Sequence, residues 1–248
     1  MKKFCLAFFG ILLYISGSSQ VISNLVLVGD KGVTEDIREA KYFIVVKDYP
    51  NSIFERLEYK FGGPLQKLKT YKDSLLQMPD GRYIEYAANG TMYLKGMYTS
   101  GLKDKDWSYY NDTGKVLLVQ KYQEGKLIGA ENPDTVPSKP RSDNVDGGEI
   151  DAAFGGGDRA WSQYIMKNLN ADVTEKSHKG GKVIVNFSID TTGKMDNIFL
   201  GKSAEFVLDE EALRVVSRSP DAWKPAVQDG KHVRAYRRQP ITFFYEEN

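Results

Sequence analysis

Cysteine is almost missing from this chain: Cys5 is the single one in 248 residues. It lies near the start of an apolar N-terminal run that reads as removable, so the mature chain would have none. Disulfide staples, thiolate zinc sites and cysteine nucleophiles are excluded with it, and stability must come from packing. Histidine is nearly as scarce. His178 and His232 are the only two, and no metal-ligand spacing joins them. A Gly-x-Ser-x-Gly elbow and a phosphate-binding loop are both missing. Positive and negative charges nearly cancel, leaving a net charge of +1, so the excess of positive charge that nucleic-acid binding draws on is lacking. The acidic run Asp209, Glu210, Glu211 is explained by a helix N-terminus without any acid–base chemistry. A non-enzymatic protein with no metal and no cofactor is expected.

What is present begins with a signal. Lys2 and Lys3 precede an apolar run from Phe4 to Ile15, followed by the small and polar residues Ser16-Gly17-Ser18-Ser19-Gln20. That order is the layout of a secretory signal peptide over residues 1–20, cleaved after Ser19 or Gln20. The run is short of the roughly 20 residues a helix needs to cross a bilayer. An uncleaved inner-membrane anchor is the alternative. A lipid-attachment cysteine would follow the apolar run, whereas Cys5 lies near its beginning.

Residues 21–130 carry an internal repeat. The spacing Tyr, three residues, Gly, seven residues, Tyr occurs as Tyr59-Gly63-Tyr71, Tyr86-Gly90-Tyr98 and Tyr110-Gly114-Tyr122. Asn89-Gly90 and Asn111-Asp112-Thr113-Gly114 supply turn chemistry. Their flanks are aromatic, aliphatic or β-branched, so each unit reads as a β-hairpin that buries its apolar face only by stacking on the next. Upstream, Tyr42 to Val46 reads as a strand capping the first repeat, and Thr34 to Ala40 as one helical turn or a loop. At these residues the segment resembles the MORN-type repeats of exported and antitoxin-like proteins. That resemblance implies an all-β scaffold or interaction surface. Tyr83, Tyr86, Tyr98, Trp107, Tyr110 and Tyr122 are its candidate surface. Either they form a structural ladder, or they line a groove for a protein or glycan partner.

Between residues 131 and 153 the aromatic residues vanish, and Pro133, Pro137, Pro140, Gly147 and Gly148 appear among scattered charges. With so little to bury, this segment reads as an extended or flexible linker.

The remainder, 154–248, reads as an α+β domain with two helices on a small antiparallel sheet. Gly155-Gly156-Gly157 reads as a hinge. Asp158 is the expected N-cap of a helix with Trp161, Ile165 and Leu169 on one face, ending near Asn170. Val183, Val185, Phe187 and Ile189 alternate with Lys182, Asn186, Ser188 and Asp190, which marks a strand with at least one buried face. Asp190-Thr191-Thr192-Gly193 turns it into a return strand from Met195 to Leu200. A second helix is predicted from Asp209 to Ser217, ended by Pro220. Asp229-Gly230 then leads to one long strand from Lys231 to Tyr245.

Five fragments in this order resemble the TonB C-terminal domain family. They are Gly181-Lys182-Val183-Ile184-Val185-Asn186-Phe187, Asp190-x-x-Gly193, Leu208-Asp209-Glu210-Glu211-Ala212-Leu213, Trp223-Lys224-Pro225 and Pro240-Ile241-Thr242-Phe243. The chain departs from the family at Asn170-Ala171-Asp172, where Tyr-Pro is often found. The resemblance implies a periplasmic protein associated with transmembrane transport. Its partner would be a TonB-dependent outer-membrane transporter, or another envelope protein, whose peptide segment adds to an edge strand. The candidate edge is Val233, Arg234, Ala235, Tyr236, Arg237, Arg238, Gln239 and Ile241, with homodimerisation through the same strand as a further implication. The arginines read equally as a binding cluster or as charges guarding an edge.

Overall fold

Short strands joined by turns rich in left-handed backbone make up the first half of the computed structural model. Residues 21–50, 52–133, 150–170, 172–177 and 179–245 are described. The signal reading of residues 1–20, most of the linker (134–149) and His178 lie outside the described residues. The chain divides into two compact units, one drawn mainly from residues up to Pro133 and one from those after it.

The first unit contains β1 (Val21–Gly29), β2 (Gly32–Thr34), β3 (Tyr42–Tyr49), β4 (Ile53–Lys60), β5 (Leu65–Tyr71), β6 (Pro79–Tyr86), β7 (Met92–Thr99), β8 (Leu102–Tyr110), β9 (Val116–Gln123) and β10 (Lys126–Glu131). They form one ten-stranded sheet in the order β10-β9-β8-β7-β6-β5-β4-β3-β1-β2. From β3 onward each strand lies beside its neighbour in sequence, so the sheet is a meander. The three repeat copies coincide with the hairpins β4–β5, β6–β7 and β8–β9. Gly90 and Gly114 take φ of 79° and 84° in their turns, but in the first copy the left-handed glycine is Gly62, not Gly63. The left-handed residue of the first turn thus lies one position earlier than in the other two copies. Between hairpins, Ser100-Gly101 and Glu124-Gly125 each have two consecutive positive φ values, the backbone of a tight type I′ turn. Thr34 to Ala40 forms a loop rather than a helical turn; there the Asp36 carboxylate accepts the Arg38 backbone N–H at 2.9 Å. The capping strand β3 pairs with β4 as expected, and β1, unforeseen, covers its other side.

The core of this unit is a cross-strand row. Register places Val45 opposite Leu57, Leu57 opposite Leu68 and Leu68 opposite Ile84, and all four are buried. Such pairs are the units of sheet stabilisation.

The second unit contains β11 (Ala153–Phe154), α1 (Gly157–Asn168), α2 (Val173–Ser177), β12 (Gly181–Ile189), β13 (Met195–Lys202), α3 (Phe206–Ser217), β14 (Trp223–Lys224), β15 (Ala226–Gln228), β16 (Lys231–Val233) and β17 (Ala235–Phe243). Its main sheet is three-stranded and antiparallel, in the order β13-β12-β17. α3 packs on β12 and β13, and α1 packs against α3. The alternation foreseen in β12 is the core: Val183, Val185, Phe187 and Ile189 are buried with Leu208, Ala212 and Val215 of α3.

Four sequence expectations change here. α1 is not capped by Asp158; the cap is Gly156 at φ 90°, with no side-chain bond, and the helix ends at Asn168. The glycine run supplies a left-handed entry, and Gly155 is tied by its N–H to the Ala222 carbonyl at 2.7 Å. α3 begins three residues early, at Phe206, because Asp209 turns back on its own entry. That carboxylate is fully buried and accepts the Ala204 N–H at 3.0 Å and the Ser203 hydroxyl. A short third helix, α2, follows the first. Finally, the long closing strand is broken at Arg234. Lys231–Val233 folds back on Ala226–Gln228 around Asp229-Gly230, with φ of 50° and 72°, so only β17 continues in the sheet.

Candidate functional site

β17 runs along one margin of the three-stranded sheet. Nine consecutive pairs join it to β12, from Gly181 opposite Phe243 to Ile189 opposite Ala235, with no bulge. Among the described residues no strand pairs with its other side. Alternation sorts its side chains. Ala235, Arg237, Gln239, Ile241 and Phe243 share the face of Val183, Val185 and Phe187, where the helices pack; Ile241 and Phe243 are buried there. Tyr236, Arg238, Pro240 and Thr242 are exposed on the opposite face, Tyr236 at 75%.

The three arginines of the expected cluster therefore do three different things. Arg234, in the break before β17, pairs with Asp196 of β13, which raises its pKa. Arg237 bonds Asp158 Oδ1 at 3.1 Å, and its guanidinium lies 5.7 Å from the Trp223 ring centroid. Arg238 is exposed on the far face. Val233 closes the β15–β16 hairpin and is not part of the edge.

Gln239 is held from two sides. Its Oε1 accepts the Trp161 indole N–H at 2.6 Å, and its Nε2 donates to the Pro240 carbonyl at 2.7 Å. Trp161 in turn belongs to an aromatic cluster with Phe154, Tyr164, Phe187 and Trp223, at centroid separations of 5.0–6.1 Å. Trp223 Nε1 is buried and finds no hydrogen-bond acceptor among the described residues.

In the first unit, four of the six repeat aromatics come together. The Trp107 ring lies 5.3 Å from Tyr83, 5.2 Å from Tyr98 and 6.1 Å from Tyr122. Lys103 Nζ stands 4.1 Å over Trp107, and Lys69 Nζ 4.8 Å over Tyr98. Trp107 is only 1% exposed, so it offers a ligand almost no surface. Tyr86 is buried at the end of β6, and Tyr110 is half-buried at the end of β8. Glu85, which sequence reasoning did not single out, accepts the hydroxyls of both Tyr83 and Tyr93. Burial, and then these bonds to Glu85, push the Tyr83 phenol up and Tyr93 up to about 12. Among the described residues no group of three acidic or histidine side chains is placed to hold a metal ion.

Residues 172–244 match the family model described as Gram-negative bacterial TonB protein C-terminal. That stretch of the second unit is similar to the TonB C-terminal domain. The match runs from the start of α2 through β17 and stops short of α1 and the ten-stranded sheet. No curated protein and no solved structure gives a significant match to the chain.

The departure at Asn170 has a structural role of its own in the second unit. The Asn170 N–H donates to Glu211 Oε1 at 2.6 Å, and Glu211 grips Arg214 through two bonds of 2.7 Å. Arg214 Nη2 also reaches the Asn168 carbonyl at 2.6 Å. The end of α1 is thus tied to α3 by polar contacts. No helix among the described residues is long and apolar enough to cross a membrane.

Proposed function

We propose that this chain is an exported, non-catalytic TonB-like protein of the periplasm. It binds a TonB-dependent outer-membrane transporter, or another envelope protein, by adding an extended peptide segment to the free side of β17. The single observation that carries this reading is the long unbulged margin of β17, with backbone groups turned to solvent beside a TonB-like core. An extended partner satisfies such groups by main-chain hydrogen bonding. Titrating the full chain with peptides from transporter plug segments tests it, with amide exchange along β17 as the readout. Protection of β17 amides is expected; protection confined to the first unit would sink the reading.

A second reading rests on the other sheet. β10 ends the meander with Leu127 and Ile128 exposed at 53% and 63%. In that case the MORN-like repeats form a scaffold that engages a protein or glycan partner, and β17 serves docking or homodimerisation. Cross-linking from β10 rather than β17 in the cell envelope would favour it. The mature N-terminus bears on coupling to an inner-membrane motor: a start near Val21 removes the anchor such coupling needs, and a start at Met1 retains it.

A further inference from the structure

β17 carries a proline in its middle, and the ladder to β12 runs through it unbroken. Ile184 stands opposite Pro240, with regular pairs on both sides. Antiparallel pairs alternate between those that exchange two hydrogen bonds and those whose backbone groups point away. Pro240 has no N–H to give, so its pair with Ile184 is of the second kind. Every even-numbered residue of β17 then turns its backbone groups to the free margin, and every odd-numbered one turns them to β12. At Pro240 the outward donor is missing altogether. The outward acceptor is occupied as well: the Pro240 carbonyl receives Gln239 Nε2 at 2.7 Å. Gln239 is itself fixed by the Trp161 indole at 2.6 Å.

Resting on the strand-addition reading above, we infer that Pro240 and Gln239 form a stop that confines an incoming strand to the stretch Tyr236–Arg238, and that the segment accepted there is a short acidic peptide. The even residues before the stop are Tyr236 and Arg238, and both offer an N–H and a carbonyl outward. Their side chains lie on the exposed face, Tyr236 at 75% exposure and Arg238 exposed beside it. Arg234 and Arg237 are engaged by Asp196 and Asp158. Arg238 is the arginine of this strand that projects to solvent on the face an added peptide would share. A carboxylate one strand across from Arg238 is a favourable cross-strand partner, and an apolar residue two positions from it, on the same face, packs on the Tyr236 ring. Thr242 lies beyond the stop and stays unpaired. The same device keeps two copies of the chain from zipping β17 against β17 along its whole length.

The test uses the full chain and a short synthetic peptide that alternates valine and threonine around a central aspartate. Amide exchange and binding are measured for the native protein, Pro240→Val and Gln239→Glu. Pro240→Val restores an outward N–H. Gln239→Glu keeps the acceptor for Trp161 but loses the donor that covers the Pro240 carbonyl. In the native protein the peptide slows exchange at Tyr236 and Arg238 and leaves Thr242 unchanged. In Pro240→Val the protection spreads through residue 240 to Thr242, and affinity rises about fivefold, the worth of one added backbone hydrogen bond. Gln239→Glu gives a smaller spread in the same direction. Replacing the peptide's aspartate by asparagine weakens binding about threefold, as does Arg238→Gln. Protection of Thr242 in the native protein, or no change in either variant, overturns the stop while leaving strand addition intact. Equal affinity for the aspartate and asparagine peptides overturns the acidic preference. If no β17 amide is protected in any variant, strand addition itself fails and the stop falls with it.

Discussion

Gly96→Ala probes the first unit where its packing is tightest. A Cβ at Gly96 would lie 2.3 Å from Trp107 Cδ2, and 2.5 and 2.7 Å from Cε2 and Cε3. Carbon atoms settle at about 3.5–4.0 Å, so the indole or β7 must move by roughly 1 Å or more. The indole has little freedom to do so. Its N–H donates to the Met97 carbonyl at 3.1 Å, three tyrosine rings surround it, and Lys103 stands over it. Displacement forfeits the hydrogen bond, about 1 kcal/mol. It also forfeits part of the ring contacts, each worth about 0.5–1.5 kcal/mol, within an overpacking cost of about 1–3 kcal/mol. The expected loss is about 3 kcal/mol, which lowers the Tm of a unit this size by on the order of 10 °C. Trp107 is the one tryptophan of the first unit, so its indole N–H resonance reports that unit's unfolding separately from Trp161 and Trp223. Combining Gly96→Ala with Trp107→Leu should recover part of the loss, because the methyl then enters space the indole has left. A Gly96→Ala cost below about 0.5 kcal/mol would refute the account, since no close-packed indole could absorb the methyl so cheaply.

Three further outcomes follow from the same geometry. Asp209→Ala removes the acceptor of the Ala204 N–H and the Ser203 hydroxyl in a fully buried position; it should cost about 2–3 kcal/mol in denaturant titration, and Asp209→Asn distinctly less. Arg237→Ala should lose about 1 kcal/mol through its Trp223 and Asp158 contacts, while Arg238→Ala leaves stability within about 0.5 kcal/mol of native; equal effects would contradict the separation of the arginines. Burial, and then the nearby charge of Arg82, pull Lys95 from 10.5 down to about 8. Because the folded value lies below the unfolded one, the penalty for its ammonium is complete below pH 8 and is relieved as pH rises toward 10.5, by up to about 3 kcal/mol at roughly 1.36 kcal/mol per pH unit. Lys95→Met should flatten that rise in a series of Tm measurements between pH 8 and 10, and an unchanged slope would count against it.

The sequence shows best what is periodic. The Tyr-x3-Gly-x7-Tyr spacing reports three hairpins because strand length and turn chemistry repeat together. The alternation in Lys182 to Asp190 reports the central strand of the second sheet because only one residue in two faces the helices. What stayed hidden depends on contacts between residues far apart in the chain. That Gln239 meets Trp161, and Arg237 meets Asp158, cannot be read from spacing, so three neighbouring arginines looked like one patch. Asp209 reads in the sequence as a helix-dipole charge, because spacing does not show that Ser203 and Ala204 bend back over it. The break at Arg234 is hidden in the sequence for a similar reason. Asp229-Gly230 was legible as a turn, but nothing in Lys231 to Tyr245 shows that its first three residues pair with Ala226–Gln228 rather than with the main sheet.

The choice of β17 as the binding margin also follows from comparing it with the other sheet ends. β2 is three residues long, too short to template a strand. The ladder of β10 to β9 shifts register between Leu127 and Gly129. β13 meets β12 with two such shifts, and Asn197 within it takes φ of 51°. Bulges and short lengths are the usual means by which a sheet end is kept from recruiting another strand. β17 has neither; its nine pairs are regular. The only irregularity is chemical, a proline whose carbonyl is covered by its neighbour's side chain. A margin meant to stay unpaired would be expected to be short, as β2 is, or to bulge, as the ladders of β10 and β13 do. A margin kept straight but interrupted at one residue is suited to a partner of limited length, and it is on that distinction that Pro240→Val reports.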